Sequence, residues 1–241
     1  MSDFLLRLEG VHTHIGAYHI LHGVDLAVPK GQLTMLLGRN GAGKTTTLRT
    51  IMGLWKASQG RVVFGARDIT AMNTPQIAEL NIAYVPENMG IFADLTVKEN
   101  MLLAARGARR AAQMDETRLQ WIFKLFPAVE KFWNHPAGKL SGGQKQMLAV
   151  ARAIVEPRDL LIVDEPSKGL APAIINNMID AFQQLKAGGV TILLVEQNIN
   201  FAKRLGDSVA VMDNGVVVHA GSMKQLAEDE GLQRSLLGLA L

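Results

Sequence analysis

Short apolar runs of strand length alternate with helix-like stretches along most of the chain. Leu5-Leu6-Arg7-Leu8 and Ile20 to Val28 have the composition of strands, the second closed by the turn Pro29-Lys30-Gly31. A further strand is predicted over Gln32 to Leu37, followed by Val62-Val63-Phe64 and Ile82-Ala83-Tyr84-Val85. From about Thr96 to Trp133 the chain is rich in Ala, Leu, Arg, Lys and Glu with few turn residues, which predicts a largely helical insertion. Beyond it, Leu160-Leu161-Ile162-Val163 and Thr191-Ile192-Leu193-Leu194-Val195 are continuous apolar runs, the pattern of strands buried on both faces of a parallel sheet. Both end in acidic or amide residues. Val209 to Met212 and Val216 to Val218 flank Asp213-Asn214-Gly215, a hairpin signal, and a short helical tail is predicted from about Ser222. The class is α/β.

Composition narrows this picture mainly by exclusion. With 241 residues and 48% hydrophobic content, the chain can bury one large domain or a domain with a subdomain. Its formal charge is only +3, which gives no reason to expect a nucleic-acid partner. The densest basic cluster, Arg106, Arg109 and Arg110, reads as a solvated helix end. The absence of cysteine excludes disulfides, thiolate metal sites and cysteine nucleophiles, and is compatible with a reducing compartment. No apolar run approaches the roughly 18 residues that span a bilayer, and the start MSDFLLRLEG has an acid and no long apolar region. The expectation is a soluble, non-exported protein whose membrane role, if any, comes through a partner.

Three polar stretches carry chemistry. Gly38-Arg39-Asn40-Gly41-Ala42-Gly43-Lys44-Thr45 fits the phosphate loop G-x-x-x-x-G-K-[ST], directly after a predicted strand and before the helix-like run that starts at Thr46. Glycines there let backbone N–H groups converge on phosphate oxygens, the helix N-terminus adds positive potential, Lys44 neutralises β/γ charge and Thr45 offers a hydroxyl to Mg²⁺. Leu160 to Pro166 puts Asp164 and Glu165 at the end of a buried strand, where ligands sit in open α/β sheets. Asp164 suits a Mg²⁺ ligand, direct or through water, and Glu165 suits a base that polarises an attacking water. Leu140-Ser141-Gly142-Gly143-Gln144 opens a strong helical pattern and makes a second anion site, which one phosphate loop does not need.

With these residues in view, the sequence resembles the ATP-binding-cassette ATPases over essentially its whole length: the G-R-N-G-A-G-K-T-T loop, the L-S-G-G-Q signature, the L-L-I-V-D-E-P strand and the helical insertion between loop and signature. The resemblance implies a P-loop NTPase (RecA-like) core with an N-terminal antiparallel β subdomain and an inserted α-helical subdomain. It is read as one nucleotide-binding domain over 1–241, with 1–95 and 157–241 as core and β subdomain and about 96–156 as the helical part. In that family two cassettes pair head to tail, so Ser141, Gly142, Gly143 and Gln144 would serve a partner's nucleotide. Gly38 to Thr46, Asp164 and Glu165 would serve this chain's own ATP and Mg²⁺. Val85-Pro86-Glu87-Asn88, Ser167 to Pro172 and Leu194 to Asn198 look like the LivF-type ATPases of branched-chain amino acid importers and of relatives that import urea, amides or other polar amino-acid-like solutes. The implied partners are membrane permease subunits, a second cassette in a homo- or heterodimer and, indirectly, a periplasmic or extracellular solute-binding protein, with no nucleic acid. The implied location is peripheral, on the cytoplasmic face of the inner (cell) membrane.

Three positions depart from the general cassette pattern. Where most cassettes have a glutamine at the metal site, this chain has Glu87, read either as a metal-sensing group or as a loop residue facing the transporter. Where an adenine-stacking aromatic is usual there is Ile15, and Tyr18 lies three residues later, as a substitute ring or a packed strand tyrosine. Preference for ATP over GTP therefore comes from the resemblance. Where many cassettes have a γ-phosphate histidine there is Gln197, which can donate and accept but cannot become cationic. Gln197 leaves open a working but altered site, a site that binds ATP and hydrolyses it slowly, or an amide that only caps the next helix. A P-loop kinase or GTPase is disfavoured by the signature pentapeptide. A non-transport cassette ATPase or nucleotide-gated scaffold is the alternative, although such proteins usually carry two cassettes or long coiled-coil inserts, and this sequence has neither.

Overall fold

The computed structural model describes residues 3–105 and 114–238; Arg106, Arg109 and Arg110 lie outside the described residues. Strands β1 (Phe4–Ile15) and β2 (Tyr18–Pro29) form a long antiparallel hairpin, and β4 (Ala57–Phe64) and β5 (Arg67–Asp68) extend it in the order β2-β1-β4-β5. The first strand runs well past the predicted Leu5 to Leu8. Its buried positions are Leu6 and Leu8, then Val11 and Thr13, so the inward phase shifts by one residue. The register shifts between Leu8 and Val11 absorb that step, and Gly10 there is left-handed (φ 57°) with its N–H donated to Asp25 Oδ1 at 2.8 Å. A bulge of this kind breaks the period-two pattern on which strand prediction depends.

The second sheet has the order β10-β9-β3-β8-β7-β6, built from β3 (Leu33–Leu37), β6 (Ile82–Val85), β7 (Leu160–Asp164), β8 (Thr191–Glu196), β9 (Ser208–Asp213) and β10 (Val216–Ser222). All pairs are parallel except the β9–β10 hairpin. Every residue of β3, β7 and β8 is buried, which is why these runs are almost wholly apolar, with Thr34 the one polar residue away from a strand end. Alternate side chains of the same strands feed two cores. Leu36, Ile162, Leu193 and Val195 pack against Leu6, Leu8 and Leu21 of the antiparallel sheet. Met35, Val163, Ile192 and Leu194 belong to the opposite core with Phe126, Phe182 and Phe201.

Helices α1 (Lys44–Ile51) and α2 (Thr74–Ala78) precede β6, α7 (Pro172–Ala187) and α8 (Ile199–Leu205) flank β8, and α9 (Met223–Glu228) and α10 (Glu230–Leu237) form the tail. Between β6 and β7 come α3 (Val97–Ala104), α4 (Glu116–Leu125), α5 (Pro127–Lys131) and α6 (Gly142–Ala153). The helical stretch is more broken than its composition predicts. Phe126 leaves helical geometry (φ −131°, ψ 76°), and Pro127 starts the next helix at its first position, where proline fits. Among the described residues no helix is long and apolar enough to cross a membrane.

Candidate active site

The site lies at the carboxyl ends of β3, β7 and β8. Between Leu37 and Lys44 the chain must turn from strand to helix within six residues. Gly38 permits it, since a Cβ there would stand 2.4 Å from the carbonyl oxygen of Met212. Gly43 is the N-cap of α1, left-handed at φ 104°, and no side chain caps the helix. The first bond from the N-cap carbonyl is Thr47 N–H to Gly43 O at 2.8 Å. The amides of Lys44, Thr45 and Thr46 therefore lie ahead of the helical ladder, at its positive end. Asn40 and Gly41 are exposed, Ala42 is buried, and Arg39 turns aside, its Nε donating to Leu237 O at 3.4 Å.

Lys44 is 5% exposed and donates from Nζ to the loop carbonyls of Gly38 (2.8 Å) and Arg39 (3.0 Å). It stands 3.7 Å from Glu165 Oε1, and burial holds its pKa below the usual lysine value against the attraction of Glu165 and Asp164. Thr45 Oγ1 donates to Asp164 Oδ1 at 3.2 Å. The other oxygen, Asp164 Oδ2, is buried with no hydrogen-bond partner among the described residues. Burial, with Glu165 and Glu87 nearby, pushes the Asp164 carboxyl up to about 6. An orphaned carboxylate oxygen beside a hydroxyl is an all-oxygen donor set that fits a hard divalent cation. One carboxylate, one hydroxyl and substrate phosphates suffice for Mg²⁺, so the lack of any cluster of three metal-ligating side chains among the described residues is no obstacle.

Glu165 follows β7 in a left-handed conformation (φ 47°), fixed by its N–H to Val195 O at 3.0 Å. Its Oε1 accepts from Gln197 Nε2 at 2.6 Å, and the same amide donates to Asn40 Oδ1 at 2.5 Å. Gln197 thus ties the phosphate loop to Glu165. It does not cap α8; that task falls to Asn198, whose Oδ1 accepts from the N–H groups of Asn200 and Phe201. The capping-only role considered for Gln197 is corrected accordingly.

Glu87 and Tyr18 also find definite surroundings. Glu87 is exposed, and its Oε1 accepts from Lys168 Nζ at 2.6 Å. Tyr18 is 76% exposed at the start of β2, so it is not a packed strand tyrosine. At α6, Ser141 is the N-cap: its Oγ accepts from Gln144 N–H at 3.4 Å, and its own N–H donates to Gln144 Oε1 at 2.9 Å, a capping box. Gly142 faces open space, whereas a Cβ on Gly143 would meet Ile174 at 2.8 Å.

Two residues with evident parts in the site received no role from the sequence. Glu196, 2% exposed, accepts from the N–H groups of Ser167 (2.9 Å), Gln197 (3.1 Å) and Asn198 (3.3 Å), joining the two strand-end loops. Burial raises its pKa above the usual carboxylate value despite these donors. The available signal was a glutamate closing a continuous apolar run. Lys168 meets two carboxylates, Glu87 and, at 3.5 Å, Glu165 Oε2. Nothing in the local sequence announces that pairing.

A parallel sheet whose strand ends gather a phosphate loop, a buried aspartate and a glutamate turned toward the loop defines a P-loop nucleotide-hydrolysing cassette. The family model described as ABC transporter matches residues 21–168, and the chain belongs to that family of ATP-binding cassette ATPases. It is 36% identical over 234 residues to the high-affinity branched-chain amino acid transport ATP-binding protein BraG of Pseudomonas aeruginosa, covering 97% of this chain and 100% of the relative. It is 34% identical over 236 residues to the probable branched-chain amino acid transport ATP-binding protein LivF of Archaeoglobus fulgidus, covering 98% and 99%. A crystal structure of a nucleotide-free ATP-binding cassette from an ABC transporter superposes with a TM-score of 0.82 at 26% identity, covering 99% of this chain and 100% of that one.

Proposed function

We propose that the chain is the ATP-hydrolysing subunit of an importer for branched-chain amino acids or related polar amino-acid-like solutes. One observation carries the assignment of chemistry: Gln197 Nε2 holds Asn40 of the phosphate loop and Glu165 together, at 2.5 and 2.6 Å. The solute class is supported by the names of BraG and LivF, which match this chain over nearly its whole length.

In this function the amides from Gly38 to Thr46 and the Lys44 ammonium bind the ATP phosphates. Tyr18 offers its exposed ring to the base. Thr45 and Asp164 would hold Mg²⁺, with Glu87 at the edge, and the ion supplies charge neutralisation at the phosphates. Glu165 accepts a proton from the water that attacks the γ-phosphorus, as the bond to the β-phosphate oxygen breaks. Gln197 orients that water and the Glu165 carboxylate with its amide. Ser141, Gly142, Gly143 and Gln144 close on the nucleotide of a second cassette, so hydrolysis belongs to a homo- or heterodimer. A groove of about 950 Å³, lined by Arg49, Met52, Leu54, Glu87, Met89 and Arg152, is the proposed seat of a permease helix at the cytoplasmic membrane face. The division into core, β part (1–95 and 157–241) and helical part (about 96–156) then lets α6 move with the permease.

The test is to tag the chain, isolate it from membranes and assay the complex. A permease and a second cassette are expected to co-purify, and Glu165→Gln is expected to lower ATP turnover about 100-fold or more while ATP binding persists. Undiminished turnover would remove Glu165 from the role of base, and recovery with ribosomes or DNA in place of a permease would overturn the transport function.

A further inference from the structure

β6 and β7 pair in parallel with Val85 opposite Val163. Two residues beyond that pair stand Glu87 and Glu165, just past the ends of β6 at Val85 and β7 at Asp164. Two carboxylates at neighbouring strand ends repel one another, and buried Asp164, which accepts from Thr45, adds a third acidic group. Lys44 answers this charge from one side, at 3.7 Å from Glu165 Oε1. Lys168 answers it from the other, with Nζ 2.6 Å from Glu87 Oε1 and 3.5 Å from Glu165 Oε2.

The anchorage of Lys168 differs from that of an ordinary surface lysine. Its N–H donates to Glu165 O at 3.3 Å, and the preceding Ser167 N–H donates to the buried Glu196 carboxylate at 2.9 Å. The backbone below the side chain is thus pinned to β7 and β8, and only the ammonium reaches outward. Its two carboxylate neighbours, Glu87 foremost, raise its pKa above the ordinary lysine value, so it stays charged at neutral pH. Glu165 is therefore held from both oxygens: Gln197 on Oε1 and Lys168 on Oε2. Glu87 belongs to a loop turned tightly by Met89 N–H to Pro86 O at 2.8 Å, and that loop lines the 950 Å³ groove.

We propose that Lys168 is a positioning residue: it brackets Glu165 and Glu87 and so fixes the orientation of the base. This rests on the function proposed above and adds a residue that positions its base. A pair this exposed contributes little to stability, so the role shows in turnover. In a bracket, the attraction that ties the Glu87 loop to Glu165 passes through Lys168, so removing the Glu87 charge loosens the base only while Lys168 is present.

The experiment uses the membrane complex recovered with the tagged full-length chain and measures kcat, KM for ATP and Tm. Lys168→Gln is expected to lower kcat about tenfold, with KM within about twofold and Tm unaltered, while Lys168→Arg retains most of the parent kcat. Glu87→Gln is expected to give a smaller loss, and the double variant to fall no further than Lys168→Gln alone. Parent-like turnover in Lys168→Gln, a loss confined to KM or Tm, or multiplicative losses in the double variant would overturn the proposal. A parent complex without ATP turnover would remove the underlying function as well, whereas turnover in the parent beside an unaltered Lys168→Gln would remove the positioning role alone.

Discussion

The two helix N-termini that the sequence marks for anions, those of α1 and α6, are built in opposite ways. α1 begins at a left-handed glycine with no side-chain cap, and it keeps its helix because Lys44, Thr47, Leu48, Thr50 and Ile51 are buried. α6 begins at exposed Ser141 with a complete capping box. A helix start without a side-chain cap leaves its first amides free for phosphate, while the capping box of α6 takes up Gln144 N–H and leaves those of Gly142 and Gly143. In the proposed function the first is the finished half-site and the second the waiting one, an asymmetry that suits a nucleotide shared between two chains.

The strongest way to break the comparison is to damage the finished half. Lys44→Met keeps the buried stem and removes the ammonium, leaving Asp164 and Glu165 without their inner counter-charge. ATP affinity of the full-length chain, measured by titration calorimetry, is expected to fall about 100-fold, the equivalent of ~3 kcal/mol for lost charge-assisted hydrogen bonds. An affinity close to the parent's would mean that the amides of α1 alone hold the phosphates.

A smaller effect is expected at the bracket in front of α1. Gln197→Ala cuts the links to Asn40 and Glu165 together but leaves the capping of α8 to Asn198. Turnover of the assembled complex is expected to drop about tenfold, in keeping with a loss of orientation, and ATP affinity to stay within about twofold. Equal turnover in variant and parent would reduce Gln197 to a strut between two loops.

What could be read from the sequence follows from how each feature is encoded. β7 and β8 were legible because burial on both faces writes a continuous apolar run, and β3 because Thr34 alone interrupts one. The far half of β1 was not, because the step beside Gly10 inverts the inward phase. The phosphate loop was legible because its backbone geometry demands glycine at fixed spacing. Glu196 and Lys168 were not, because their roles exist only across the fold: Glu196 meets Ser167, 29 residues away, and Lys168 meets Glu87, 81 residues away. The ambiguity of Gln197 had a similar origin, since its neighbour Asn198 had to be seen capping α8 before capping could be taken from Gln197.

The waiting half offers the smallest and most discriminating change. Ser141→Ala removes the acceptor for Gln144 N–H while leaving the backbone N–H of Ser141 paired with Gln144 Oε1. Loss of such a cap costs about 1 kcal/mol, or roughly 2–4 °C in Tm for a domain of this size. Because Ser141 is remote from this chain's own loop in the proposed pairing, ATP affinity of the isolated chain is expected to stay at the parent value. Turnover of the paired complex is expected to fall, since the hydroxyl then fails the neighbouring chain's nucleotide. If Ser141→Ala weakened ATP binding to the isolated chain as Lys44→Met does, α6 would belong to the same half-site as α1, and the head-to-tail arrangement would lose its support.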